Sequence, residues 1–512
     1  MKTATRVALN SFSNIASSAG GNIISLVTLP TFIAAYGVEG YGIFIFATGL
    51  ATTLSYFDMG INTSLTKFTA EYLIDRDKRR FSTAIYGSIL IALALGLLFG
   101  GVLLAASFFT GRLLNLDGEL LTDSRIVFQI AAAFSFLFVP SRIAQSILEG
   151  HQMFYWRNIS NLSKNVVTLG LFAAILLGFA PSLVLFSGIV MLGRLLPALI
   201  NTIFINRFKL LDGIVIKTVS LKEIFRTEFM SYSGNLFLLQ LTSILTFQVD
   251  KLVVGSMLGS SMVTIHSVVT KPMFIIRMIS NQTLLVFGPL FAQKNKIGDF
   301  TVVDTIIGRG NLLLSIAVIP IIALNFMLIK PFINIYVGEP FTEYAYWGGI
   351  ASLIFLTAPF SGLVSRLLVF TGHVRETRNV NIVLAILNLA LSAYTTLHFG
   401  IGGVIIGSIV QSLLTVPIYN YILGRSRAVH WPQLYPPAMF ANIAYVAVAS
   451  VVVNMYLSRL EITTWLQLFT TCVVAAIILM GPGVLVAWRM KLWKKPNLKQ
   501  AVNASADGPT SK

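Results

Sequence analysis

Apolar runs of about twenty residues, separated by short polar turns, recur along the whole chain. That is the length an α-helix needs to cross roughly 30 Å of hydrocarbon. About fourteen such runs are read at 10–36, 40–64, 82–109, 125–149, 160–180, 182–205, 228–258, 261–290, 309–337, 345–370, 379–398, 401–423, 436–457 and 463–488. Spanning strands would alternate apolar and polar residues in segments of about ten, and that pattern is absent. The expected fold is an all-α polytopic membrane protein with about fourteen transmembrane helices.

An even number of crossings returns the chain to the side it started from, and the basic residues indicate which side that is. Lys67, Arg76, Lys78, Arg79 and Arg80 follow the second run, and Arg207, Lys209, Lys217, Lys222 and Arg226 the sixth. Lys294 and Lys296, Arg375 and Arg378, Arg425 and Arg427, and Arg489, Lys491, Lys494 and Lys495 follow the eighth, tenth, twelfth and fourteenth. All fall on one face of the fourteen-run layout, while the other face carries more acids, such as Glu39, Asp117, Glu119 and Glu339. Lysine and arginine mark cytoplasmic loops, so both termini are expected in the cytoplasm. The layout divides into a six-helix lobe at 1–206, a basic cytoplasmic loop at 207–227, and a second six-helix lobe at 228–424. A final helix pair at 425–495 and a polar, disordered cytoplasmic tail at 496–512 complete it.

Composition agrees with the pattern. Charged residues are 11% of the 512 and hydrophobic ones 55%, against about 25% charged in soluble domains, and the mean hydropathy is +0.80. The net charge of +17 is thereby read as loop bias and not as a nucleic-acid footprint. The single cysteine, Cys472, excludes a disulfide within one chain and a zinc cluster. Lys2 and Arg6 ahead of an apolar stretch resemble a signal peptide, but the stretch is too long and lacks a small-residue cleavage site. A retained first helix is expected.

Six cations fall inside apolar runs: Arg142, Arg194, Lys251, Lys271, Arg277 and Arg366. Each costs about 2.5–3.5 kcal/mol at a helix centre on insertion scales, so it turns to a bundle interior or a watery cavity. Depths at about 1.5 Å per residue sort them. Asp58 and Arg142 share a depth and form a candidate ion pair, as do Asp250 and Lys271. Arg366, near the inner end of the tenth run, is expected to snorkel. Arg194 has no carboxylate at its depth in the first lobe. Arg277 follows His266 by eleven residues, which puts both near one helical face, with Glu228 as its candidate partner. Asp58 and Asp250, the carboxylates well inside runs, are candidates for H+ or Na+ coupling or for structural pairs. No cofactor is called for. Tyr155, Trp156, Tyr346, Trp347, Trp431 and Trp488 stand near run ends as interfacial anchors.

Two segments repeat. PTFIAAYGVEGYGIF at 30–44 joins runs one and two, and VDKLVVGSMLGSSMVTIH at 249–266 joins runs seven and eight. Aligning Gly37 with Gly259 gives each half the same tight outer turn and sets Ile43 against Ile265. Two halves of like topology are a recurrent transporter architecture.

These same segments carry a resemblance. The run at 30–42, Phe57-Asp58-Met59-Gly60, Lys67-Phe68 and Glu71-Tyr72 resemble the opening of polysaccharide-transport-type oligosaccharide flippases, in the multidrug/oligosaccharidyl-lipid/polysaccharide exporter superfamily. Asp250 to Gly255, then Leu258-Gly259, is similar to that family's seventh-helix signature. His266 and Thr264 depart from it, standing where tyrosine and glycine are common. The resemblance implies transfer of polyprenyl-pyrophosphate-linked oligosaccharide from the inner to the outer leaflet of the bacterial cytoplasmic membrane, as for O-antigen or exopolysaccharide units. It implies lipid-linked oligosaccharide and membrane lipids as partners, with a polysaccharide polymerase and chain-length machinery nearby. Arg194, Arg277, Lys271, Arg142 and Lys251 are the candidate pyrophosphate and glycan path, because arginine binds phosphate oxygens bidentately and stays charged. A cation-coupled drug antiporter of the same superfamily is the alternative. It calls for twelve spans and for membrane carboxylates as cation sites, whereas in this chain buried cations outnumber well-buried acids. A membrane glycosyltransferase or polymerase needs a substantial catalytic loop outside the membrane, and the outer loops are short.

Overall fold

The computed structural model describes residues 3–58, 60–214, 250–280 and 300–489, with isolated positions at 224, 227–230, 233, 234 and 237. The described residues form helices and no strand. Eleven helices among them are long and apolar enough to cross a membrane, or twelve if the bent pair Ser260–Val269 and Met273–Ser280 is one span. The expected fourteen are not reached among the described residues, for two reasons. The first two predicted runs are two helices that meet at a kink, non-helical Gly37 at φ 72°, ψ 169°, with no loop between them; they are taken together as α1 (Thr3–Tyr56) and count as one apolar stretch. The seventh is described continuously only from Asp250. Lys217, Lys222, Arg226, Lys294, Lys296, Lys491, Lys494 and Lys495, and the tail at 496–512, lie outside the described residues.

Contacts group the chain into two compact units, Met1–Val268 with Asn381–Ser408, and Val269–Val380 with Ile409–Lys512. In the first, α1 is followed by α2 (Ile61–Asp75), α3 (Lys78–Ser107), α4 (Thr110–Leu114), α5 (Gly118–Gly150), α6 (Phe154–Leu176), α7 (Leu183–Gly193) and α8 (Leu196–Arg207). Phe68, Phe81, Ile85, Phe99, Ile143 and Leu148 build a core shared by α2, α3 and α5. α3 meets α5 through small residues: a Cβ on Gly96 would stand 2.7 Å from the Phe136 carbonyl oxygen. Lipid tails are as apolar as leucine, so helices in a membrane gain by such close approach more than by burying leucines.

The aligned turns share their geometry. Gly37 and Gly259 both have positive φ, 72° and 88°, a region open to glycine without steric cost. Ile43 and Ile265, set opposite by the alignment, are both buried. The turns also touch. The Thr264 hydroxyl donates to the Val38 carbonyl at 2.7 Å, and a Cβ on Gly42 would lie 2.0 Å from the Ser260 carbonyl oxygen.

In the second unit the helix Phe300–Tyr336 carries most of the core, including Ile307, Leu314, Val318 and Leu328. Asp304 in its second turn is fully buried and binds Arg427 at 2.5 Å. It also accepts the His430 backbone N–H at 2.9 Å. One turn pair further on, Asn311 donates to the Leu434 carbonyl at 3.0 Å. The linker into the last two helices, Pro437–Leu457 and Trp465–Arg489, is thereby fastened to the core helix.

Candidate functional site

Within the first unit, α1, α5, α6, α7 and α8 surround a cavity of about 520 Å³. Three cations line it, Arg142, Lys164 and Arg194, and no carboxylate is among the lining residues. The remaining wall includes Ser141, Gln145, Asn161, Asn165 and Asn201, with Phe32, Tyr41, Phe44 and Phe186 at its aromatic end.

Each cation is set by a different local device. Arg194 occupies the joint between α7 and α8, where Gly193 ends one helix and Leu196 begins the next, with Pro197 in its first turn. Its guanidinium donates to Thr52 Oγ1 at 3.0 Å. The Thr52 hydroxyl donates in turn to the Thr48 carbonyl at 2.6 Å, which leaves its lone pairs for the arginine. Arg142, on α5, reaches the break between α1 and α2. There it donates to the Ser55 carbonyl at 3.2 Å and lies 3.4 Å from Asp58 Oδ2. Asp58 is buried and also accepts the Gly60 N–H at 3.0 Å and the Asn62 side-chain amide. The Asp58–Arg142 pair expected from depth is therefore present. Lys164 was not foreseen. It stands ten residues into α6, between Asn161 and Thr168 on one helical face. The i, i+3, i+4, i+7 spacing of Asn161, Lys164, Asn165 and Thr168 is the sequence signal that marks that face.

The other predicted residues sit elsewhere. Lys251 lays its side-chain stem along α1, its Cδ 3.8 Å from where a Cβ on Gly49 would be. Asp250 accepts the Ser408 hydroxyl at 3.2 Å on each oxygen. Ser408 also meets Asn388 at 3.5 Å, and Ser392 donates to Asn388 at 2.9 Å. Lys271 and Arg277 belong to the second unit and are not among the residues lining this cavity. The helical-face argument for His266 and Arg277 fails, because the helix stops at Val269 and restarts at Met273, with Pro272 in the turn. Glu228, the candidate partner of Arg277, instead binds Arg80 at 2.7 Å and Lys67 at 3.6 Å. Arg366 is half-buried in the helix Leu363–Phe370. Among the described residues no group of three or more His, Cys, Asp or Glu is placed to hold a metal ion.

A candidate O-antigen transporter of Shigella flexneri is 21% identical over 333 residues, 64% of this chain and 76% of that protein. Among solved structures, the lipid II flippase MurJ in an inward closed conformation superposes with a TM-score of 0.67. It is 16% identical and covers 93% of this chain and 98% of that one. An inward-facing multidrug resistance MATE family transporter of the MOP superfamily gives 0.59 at 14% identity, covering 78% of this chain and 95% of that one. At such identities the solved structures establish the fold. The model of the family described as "Polysaccharide biosynthesis protein" matches residues 7–294, more than half of the 512, so this multi-pass membrane protein belongs to the polysaccharide biosynthesis protein family.

Proposed function

We propose that the protein is a flippase that carries polyprenyl-pyrophosphate-linked oligosaccharide repeat units from the inner to the outer leaflet of the bacterial cytoplasmic membrane, by alternating access through a cationic cavity. The observation that carries this reading is the set of three cations, without a lining carboxylate, around one cavity. A lipid-linked sugar presents three problems. Its polyprenyl tail stays in lipid. Its glycan needs hydrogen-bonding partners, which the asparagines and hydroxyls of the wall supply. Its pyrophosphate carries charge that hydrocarbon rejects by many kcal/mol, and fixed cations lower that barrier. The family match and the name of the Shigella relative point to the same cargo class. The bias of basic residues supports cytoplasmic termini. Asp250, held by Ser408 beside Asn388 and Ser392, is the candidate for H+ or Na+ coupling. A transporter role, not catalysis, follows from this reading. Polymerase and chain-length machinery act downstream of it.

The test is R194A and K164A in cells deleted for the native gene. Lipid-linked oligosaccharide should accumulate in the cytoplasmic leaflet and surface glycan should fall, with normal amounts of protein in the membrane. Wild-type surface glycan from both variants overturns the reading.

A further inference from the structure

We propose that Asp58 is a positioning residue: it holds the Arg142 guanidinium on the cavity wall so that Arg142 acts as a phosphate ligand. This rests on the cavity being the anion path. Three observations carry it beyond a structural ion pair.

The first is exposure. The Arg142 side chain is 21% exposed and that of Asp58 is 2%. The guanidinium is at the wall and the carboxylate behind it. The second is hydrogen bonding. The Asp58 oxygens already accept the Gly60 N–H and the Asn62 amide, so the carboxylate keeps partners when Arg142 leans toward a ligand. A buried carboxylate that lost its only partner would resist that movement. The third is length. At 3.4 Å the contact is well beyond the ~2.7–2.9 Å of a strong charge-assisted bond. A contact of that length orients the arginine but holds it loosely.

The local sequence produces this arrangement. Gly60, at φ 70°, ends the turn that interrupts the helix. The last carbonyls of a helix lack intrahelical partners, and that of Ser55 becomes the second anchor of Arg142. Asn62 extends the support by accepting the Ser146 hydroxyl at 3.1 Å, one turn along α5. Arg142 and Gln145 also line a second cavity of about 160 Å³. Arg142 therefore stands where two polar spaces meet. The one acid lining that second space, Glu149, is engaged by Arg157 and Gln145, each at 2.8 Å.

The experiment uses the purified full-length protein and inorganic pyrophosphate as probe, with binding and melting temperature measured together. D58N and R142A should each weaken pyrophosphate binding about tenfold, and D58N/R142A should be no weaker than R142A, because paired residues act non-additively. The swap D58R/R142D should recover thermal stability but not binding, since it returns the cation to the buried side. Wild-type binding by D58N, or recovery of binding by the swap, overturns the positioning role. If the wild-type protein and R194A are alike in failing to bind pyrophosphate, the cavity reading itself falls. If R194A loses binding while D58N and R142A keep it, only the role of Asp58 falls.

Discussion

Removing Arg427 should destabilise the second unit more than any loss on the lipid-facing surface. Asp304 has no exposure and the Arg427 side chain only 8%. After R427A the carboxylate retains the His430 N–H but loses the charge opposite it. Stripping one partner from a buried ion pair costs about 3–5 kcal/mol, because the remaining charge is left without compensation. For a unit of this size, each kcal/mol shifts the melting temperature by roughly 2–4 °C. R427A should therefore melt about 6–20 °C lower. D304N should cost a comparable amount, because it leaves the Arg427 guanidinium, itself only 8% exposed, without its countercharge. Replacing both residues by apolar ones, as in R427M/D304L, should recover most of the loss, since apolar packing often matches or exceeds a buried pair. The assay is thermal unfolding of purified protein in detergent, followed by size-exclusion chromatography. A melting temperature for R427A within 2–4 °C of wild type, about the effect of one kcal/mol, refutes the reasoning, and so does a double variant worse than the single one.

Two further outcomes are expected. G42A places a methyl group 2.0 Å from the Ser260 carbonyl oxygen; it should cost about 1–3 kcal/mol by overpacking, seen as a lower melting temperature, and an unchanged one refutes the contact. Burial holds the His151 imidazole below its usual pKa of 6.5, with Arg76 adding to the depression and a bond to the Ile147 carbonyl opposing it. Folding then excludes a proton that the unfolded chain accepts, so this stability is complete above about pH 6.5 and lost as pH falls below it toward the depressed value. H151Q should flatten the melting temperature between pH 7.5 and 5.5, and an identical pH profile counts against the assignment.

The sequence alone made the helices legible, because hydrocarbon imposes one length and one composition on every crossing. It also made Asp58 and Arg142 legible as a pair, because depth can be counted along a helix without knowing the packing. Counting fails where the helix does. Pro272 ends the periodicity between His266 and Arg277, and Pro residues in spans are tolerated widely enough that their presence does not announce a break. Lys164 was missed through a boundary: a run drawn from 160 puts it at a helix end, where a lysine is unremarkable, whereas α6 starts at Phe154. Asp304 and Arg427 are 123 positions apart, and no local pattern connects them. Aligned glycines gave the likeness of the two turns at Gly37 and Gly259, but that these turns touch depends on tertiary packing.

The sign of the cavity weighs between the two transport readings. Two unit charges about 8 Å apart at an effective dielectric near 20 interact by about 2 kcal/mol. A cationic drug entering beside Lys164 and Arg194 meets that repulsion from each, and less from Arg142, whose charge Asp58 partly offsets from behind the wall, while the lining itself offers no carboxylate in return. For a pyrophosphate diester the same terms reverse sign and double. The asparagines and hydroxyls of the wall do not alter this balance, being neutral, but they replace water around a polar group that has left it. An antiporter for cations needs an acid where this cavity has bases. The multidrug transporter likeness therefore accounts for the helix arrangement, while the cations on the cavity wall are the reason an anionic cargo is proposed over a cationic one.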